Sequence, residues 1–187
     1  MTLHNSLSSP SAAAAPARRR LMLGVGALAA AAGAGAAWWR TRPGPVAEDA
    51  AGRFWSASFD GLSGQKLHMT DFRGHPLLLN FWATWCPPCV QELPLLDRFH
   101  QEQRGRGWQV LGLAIDQEDK VRQFLERRPL GFPLAMAGLD GSDLGRALGN
   151  ERGGLPFSVL FAADGGILVR KMGELSAQDL ASWSTKA

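Results

Sequence analysis

"PLLLNFWATWCPPCVQELP", Pro76–Pro94, decides how this chain is read. The continuous apolar run up to Trp82 fits a central strand buried on both faces. Pro87 and Pro88 then suit a first helical turn, where backbone amides have no partner to lose. The helix is expected to run to about Gln103, ahead of Gly105 and Gly107. Both cysteines of the 187-residue chain, Cys86 and Cys89, lie at this strand-to-helix junction. A helix N-terminus carries roughly half a positive charge and unpaired donors, so it favours a thiolate at Cys86. Cys89 lies one turn further in and is expected to be more buried. Cys86 is therefore the attacking sulfur and Cys89 the resolving one. The prolines lack N–H groups, so the first helical donor to Cys86 is the amide of Cys89. A thiolate stabilised this weakly makes the reduced form less favoured and the pair more reducing.

Other uses of two cysteines fit less well. A c-type haem requires histidine after the second cysteine, where Val90 stands. Zinc needs further ligands, and His4, His68, His75 and His100 show no ligand spacing. A static disulfide closing so short a loop removes little unfolded-state entropy. A working redox pair, with no metal and no cofactor beyond its own disulfide, is the favoured reading.

Net charge is +3, but it is unevenly placed. Residues 1–42 hold Arg18, Arg19, Arg20, Arg40 and Arg42 and no acid, so the remainder is slightly acidic and offers no charge reason to bind nucleic acid. The three arginines precede an uncharged run over residues 21–39, mostly alanine and glycine, the layout of an export signal. That run approaches the roughly 20 residues that span a bilayer. Ala34-Gly35-Ala36 offers a cleavage site, while Trp38, Trp39, Arg40 and Arg42 suit an inner-membrane anchor; both remain open, as does a twin-arginine route. The expectation is a periplasmic protein, where disulfides persist. Residues 43–52 read as a loose linker and 53–187 as one domain.

Beyond the linker, two short strands are expected around Gly61–Gly64, then a turn at Arg73-Gly74-His75. "WQVLGLAI" is a second buried strand and Glu118–Arg128 an amphipathic helix stopped by Pro129. A short strand at 132–136, a weak helix at 142–148, a hairpin around Asp164-Gly165-Gly166 and a helix capped by Ser176 follow. Strands alternating with helices and ending antiparallel imply an α/β fold with a mixed sheet and helices on both faces.

"LNFWATWCPPC", with Gly154-Leu155-Pro156 about 70 residues later, resembles the thioredoxin superfamily, and most closely the TlpA/ResA-like periplasmic thiol-disulfide reductases. The resemblance implies a thioredoxin-like fold with an N-terminal β-hairpin and a helix/strand insertion between Asp116 and Pro156. It implies that Leu155-Pro156 is a cis-proline loop facing the cysteines, whose backbone pairs with an extended substrate; Gly153 and Gly154 let that backbone approach closely. The alternative is an ordinary trans-proline. Asn80 stands where many thioredoxins carry a buried aspartate, and an amide cannot titrate. Glu92, three residues after Cys89 on the same helical face, is the candidate proton carrier, as in ResA-like members; the plainer reading is a solvated first-turn acid. Pro94 resembles the proline that kinks the active-site helix. Trp85 flanks the disulfide on the surface, and Trp82, Trp55, Trp108 and Trp183 are packing residues. The family further implies disulfide-bearing periplasmic clients, including cytochrome c or copper-site assembly proteins, and a membrane thiol transporter as electron donor. The cytochrome branch often has an acid beside the cis-proline, where Phe157 and Ser158 stand here. Two rivals remain: a copper carrier using the dithiol with His75 or Met172, and a thiol peroxidase, for whose Thr/Pro/Arg pocket this motif offers no match.

Overall fold

The structure, a computed structural model, describes residues 45–138 and 141–186. The export or anchor reading of residues 21–39 lies outside the described residues; among these, no helix is long and apolar enough to cross a membrane. In chain order the elements are α1 (Pro45–Ser56), β1 (Ser58–Gly61), β2 (Lys66–His68), β3 (Leu77–Trp82), α2 (Pro87–Gln103) and β4 (Gln109–Ala114). Then follow α3 (Glu118–Arg127), β5 (Leu134–Met136), α4 (Gly141–Ala147), β6 (Phe157–Phe161), β7 (Ile167–Met172) and α5 (Ala177–Trp183).

The seven strands form one mixed sheet in the order β2-β1-β5-β4-β3-β6-β7. All six residues of β3 are buried, because the strand is central and covered on both faces. Their side chains alternate between two cores. Leu78 and Trp82 pack with Leu93, Leu96 and Phe99 of α2, Val121 of α3 and Leu180 of α5. Leu77, Leu79 and Phe81 face the opposite way and pack with Phe54 of α1, Leu148 after α4, and Val159 and Phe161 of β6. β3 pairs parallel with β4 and antiparallel with β6, in registers that include Trp82↔Ala114 and Phe81↔Phe157. The C-terminal ends of β3 and β4 therefore share one edge with the start of β6. The hairpin β1–β2 joins the sheet through β1 and β5, in antiparallel register Gly61↔Ala135. Gly112 is forced by packing: a Cβ there would sit 2.5 Å from Leu134 Cδ2 where β4 meets β5.

One expectation is overturned. Of the linker expected over residues 43–52, residues 45–52 are instead part of helix α1, Pro45–Ser56. Ala50 and Ala51 are buried with Phe54 and Trp55, and Phe54 stacks on Phe161 at 4.8 Å. Trp55 Nε1 donates to the carbonyl of Gly165 in the β6–β7 turn at 2.8 Å, tying the helix to the hairpin. The small side chains that suggested a linker are what lets the helix backbone approach the sheet. At the other end, Ser176 caps α5 with a reciprocal Asp179 bond, as its spacing predicts.

Placing a carboxylate in the buried α1 face separates the two readings of this segment. Ala50→Glu should lower unfolding free energy by about 3 kcal/mol in urea titrations, whereas a linker residue would tolerate it.

Candidate active site

Cys86 is the N-cap of α2, with extended backbone (φ −100°, ψ 102°), and its sulfur accepts the amide of Cys89 at 3.3 Å. Pro87 and Pro88 occupy the first two helical positions, so the amide at the second position, which can cap such a residue, is missing. Cys86 and Cys89 are joined as a disulfide, with Cα atoms 5.3 Å apart. Cys89 is fully buried and Cys86 keeps a small exposed edge, so Cys86 is the sulfur a second molecule can reach. Trp85 beside it is 66% exposed, the largest open aromatic surface among the described residues, while Trp82, Trp55, Trp108 and Trp183 are core.

The turn that delivers Cys86 is braced from the next strand. The amide and hydroxyl of Thr84 both donate to Asp116 Oδ2, at 2.8 and 2.6 Å, and Gln117 N–H donates to Oδ1. Neither residue stood out in the sequence; an acid at the end of a buried parallel strand was the available signal.

Leu155-Pro156 is a cis peptide bond. It lies just before β6, and the Phe81↔Phe157 register sets it beside the exit of β3. The loop is held from both sides: Asn150 Nδ2 donates to Gly154 O at 2.8 Å, and Gly173 N–H donates to Pro156 O at 2.9 Å. Gly153 has φ +64°, a conformation that favours glycine. Gly154 is covered by Met172, whose Cε would lie 3.1 Å from a Cβ there. Among the described residues, neither the amide nor the carbonyl of Leu155 has a hydrogen-bond partner, so both can pair with an incoming strand.

Glu92 is not a solvated acid; it is 1% exposed. Its Oε1 accepts Asn80 Nδ2 at 2.7 Å and its Oε2 accepts the amide of Leu175 at 2.6 Å. Asn80 Nδ2 also donates to Ser158 Oγ at 3.0 Å, from the residue directly opposite in β6. Asn80 Oδ1 has no partner among the described residues. Burial pushes the Glu92 carboxyl up to about 7 from 4.5, against the Leu175 and Asn80 hydrogen bonds; the Glu174 charge adds to the rise and Lys171 opposes it. The carboxyl thus changes charge near neutral pH, on the helical face of Cys89. Ser158 was legible only as a polar residue inside an apolar strand, like Asn80 in β3.

His75 is placed away from the cysteines. It precedes β3, whose six residues rise about 20 Å toward the Cys86 end, so it cannot complete a dithiol copper site; Met172 does lie at the same edge as Cys86. Among the described residues no group of three or more His, Cys, Asp or Glu is arranged to hold a metal.

The Redoxin family is matched over residues 49–183. The chain is 31% identical over 126 residues to the thiol-disulfide oxidoreductase ResA of Bacillus thuringiensis subsp. konkukian, covering 67% of this chain and 70% of that protein. It is 35% identical over 119 residues to the thiol:disulfide interchange protein DsbE of Vibrio cholerae, covering 62% and 60%. The crystal structure of a thiol:disulfide interchange protein of the thioredoxin family from Chlorobium tepidum superposes with a TM-score of 0.62 at 27% identity, over 71% of this chain and 92% of that one.

The raised Glu92 carboxyl has a measurable consequence. Because the folded state holds this proton more tightly than the unfolded chain, stability is greatest below about pH 4.5 and declines as pH rises toward 7. The decline amounts to about 3 kcal/mol at most. Glu92→Gln should abolish it, seen as matching urea midpoints at about pH 5 and about pH 8. A variant that keeps the wild-type pH profile would show that another group is responsible.

Proposed function

The chain belongs to the Redoxin family, within its TlpA/ResA-like thioredoxin-fold branch, and from that premise we propose that it is a protein-disulfide reductase working through Cys86 and Cys89. The observation that carries this reading is the helix-mouth geometry: a reachable Cys86 sulfur that receives one amide, a buried partner Cys89, and no N–H from the two residues between.

In the proposed reaction the Cys86 thiolate attacks one sulfur of a substrate disulfide. A mixed disulfide forms, and the other substrate sulfur leaves as thiolate. Leu155 orients the substrate by pairing its free amide and carbonyl with an extended segment, while Trp85 and Gly154 flank it. Glu92, as carboxylate, takes the proton of Cys89; the Cys89 thiolate then attacks Cys86 Sγ and expels the second substrate sulfur. Two electrons have passed to the substrate, and the protein ends as the disulfide seen here. Asn80 cannot carry the proton but donates to the Glu92 carboxylate that does. Pro87 and Pro88 bias the couple toward donation by withholding amides from the Cys86 thiolate. Without those donors the thiolate is less stable, and the oxidised form is favoured.

We place this activity in the periplasm, secreted or tethered by residues 21–39, with disulfide-bearing proteins as clients and a membrane thiol transporter returning electrons. Apocytochrome c or copper-site assembly proteins fit as clients, although Phe157 and Ser158 replace the acid expected of a dedicated cytochrome branch. The relatives' names support thiol-disulfide exchange, and the arginine-led apolar run supports export.

Cys89→Ser should accumulate mixed disulfides through Cys86 in periplasmic extracts, resolved by non-reducing electrophoresis and identified by mass spectrometry. Recovery of none from cells that express the variant would count against the mechanism. Separately, Pro88→Ala restores an amide to the thiolate; Cys86 should alkylate at lower pH than in the wild type and the couple become more oxidising, read by thiol alkylation against pH and by glutathione equilibration.

A further inference from the structure

Strand order places two different surfaces on either side of Cys86. The cis-proline loop is on the β6 side, and on the β4 side the inserted helix α3 starts at the Cys86 edge and runs beside α2. Between α3 and the start of α2 lies a cleft of about 280 Å³ lined by Thr84, Val90, Phe124, Arg127 and Arg128. Thr84 is two residues before Cys86 and Val90 directly follows Cys89, so the cleft opens beside the redox pair.

Its chemistry is one-sided. Phe124 packs on Trp82 with ring centroids 5.6 Å apart and carries the Arg128 guanidinium 5.8 Å above its ring, holding that charge at the cleft. Arg127 uses Nε to donate to Gln123 O, leaving its terminal nitrogens for another acceptor. Arg122, on the same helix, is paired with Glu118. Among the described residues neither Arg127 nor Arg128 has a carboxylate partner, and no acid lines the cleft. Thr84 is already committed to Asp116, so the two arginines are the cleft's charged donors. Guanidinium groups in this setting match a carboxylate, which they bind in a two-pronged fashion.

We propose that this cleft receives an acidic side chain of the disulfide-bearing protein, an Asp or Glu in the segment flanking the target cysteine. A client chain pairing with Leu155 on one side of Cys86 then meets Arg127 and Arg128 on the other, past the exposed Trp85. The insertion is thereby a selector for clients with acidic flanks, acting on encounter rate and on dwell. The proposal rests on Cys86 exchanging with protein disulfides, and the test keeps the two apart.

Two synthetic peptides, each closed by one disulfide and differing only in flanking glutamates or flanking serines, are offered to the reduced protein. Each turnover passes two electrons and two protons from the Cys86/Cys89 dithiol to the peptide disulfide. The glutamate peptide should be reduced about three- to tenfold faster than the serine peptide at low salt. That ratio should fall to near one at high salt and in Arg127→Ser/Arg128→Ser, whose fold is checked by circular dichroism. Equal rates in the wild type, or a preference that survives in the double variant, overturn the proposal. If neither peptide is reduced, the exchange reading fails instead. Fluorescence anisotropy with cysteine-free versions then decides the cleft: tighter binding of the glutamate peptide that the double variant loses supports it, and equal binding overturns it. Arginine-dependent binding to phosphatidylglycerol vesicles without any peptide preference would make the cleft a membrane contact and overturn the proposal as well.

Discussion

Burial of β3 on both faces is the constraint from which the rest of the molecule is built. Six consecutive side chains lose contact with water, three into each core, and the strand can sit nowhere except the middle of the sheet. Fixing it there fixes what leaves it. The chain turns through Ala83–Trp85, braced by Asp116 from the neighbouring strand, and enters α2 with Cys86 at the helix mouth. The antiparallel partner β6 brings the Leu155-Pro156 loop to the same edge, and the parallel partner β4 leads to α3 and its arginines. One strand thus positions Cys86 and the two surfaces on either side of it.

The same strand bears the structure's main electrostatic cost. Asn80 puts a polar group into the sheet where Leu78 and Trp82 flank it, and Glu92 comes down on it from α2. A carboxylate so buried is destabilising until it is hydrogen-bonded, and two fixed donors only partly offset the loss of water. A glutamine would offer those two donors only one oxygen. It also lacks a proton that comes and goes near neutral pH.

The order of strands and helices could be read from apolar runs, proline and glycine positions and the Ser176 cap, and the structure places them within a few residues of expectation. The segment 43–52 could not. Its alanines and proline look like linker composition, and only the sheet face waiting for small side chains makes them a helix surface. The copper reading with His75 failed because His75 enters β3 and Cys86 follows it, which sets them at opposite ends of the strand.

By itself the sequence determined the cysteine pair, its place between a buried strand and a helix, and the absence of amides at Pro87 and Pro88. Each of these follows from residue identity and local spacing. Tertiary structure alone decided that Glu92 is buried rather than solvated and that Asn80 and Ser158 stand opposite one another. It alone set Arg127 and Arg128 in one cleft with Thr84 and Val90, some 40 residues back along the chain. Burial and cross-strand register are properties of two segments meeting, and neither segment encodes them separately.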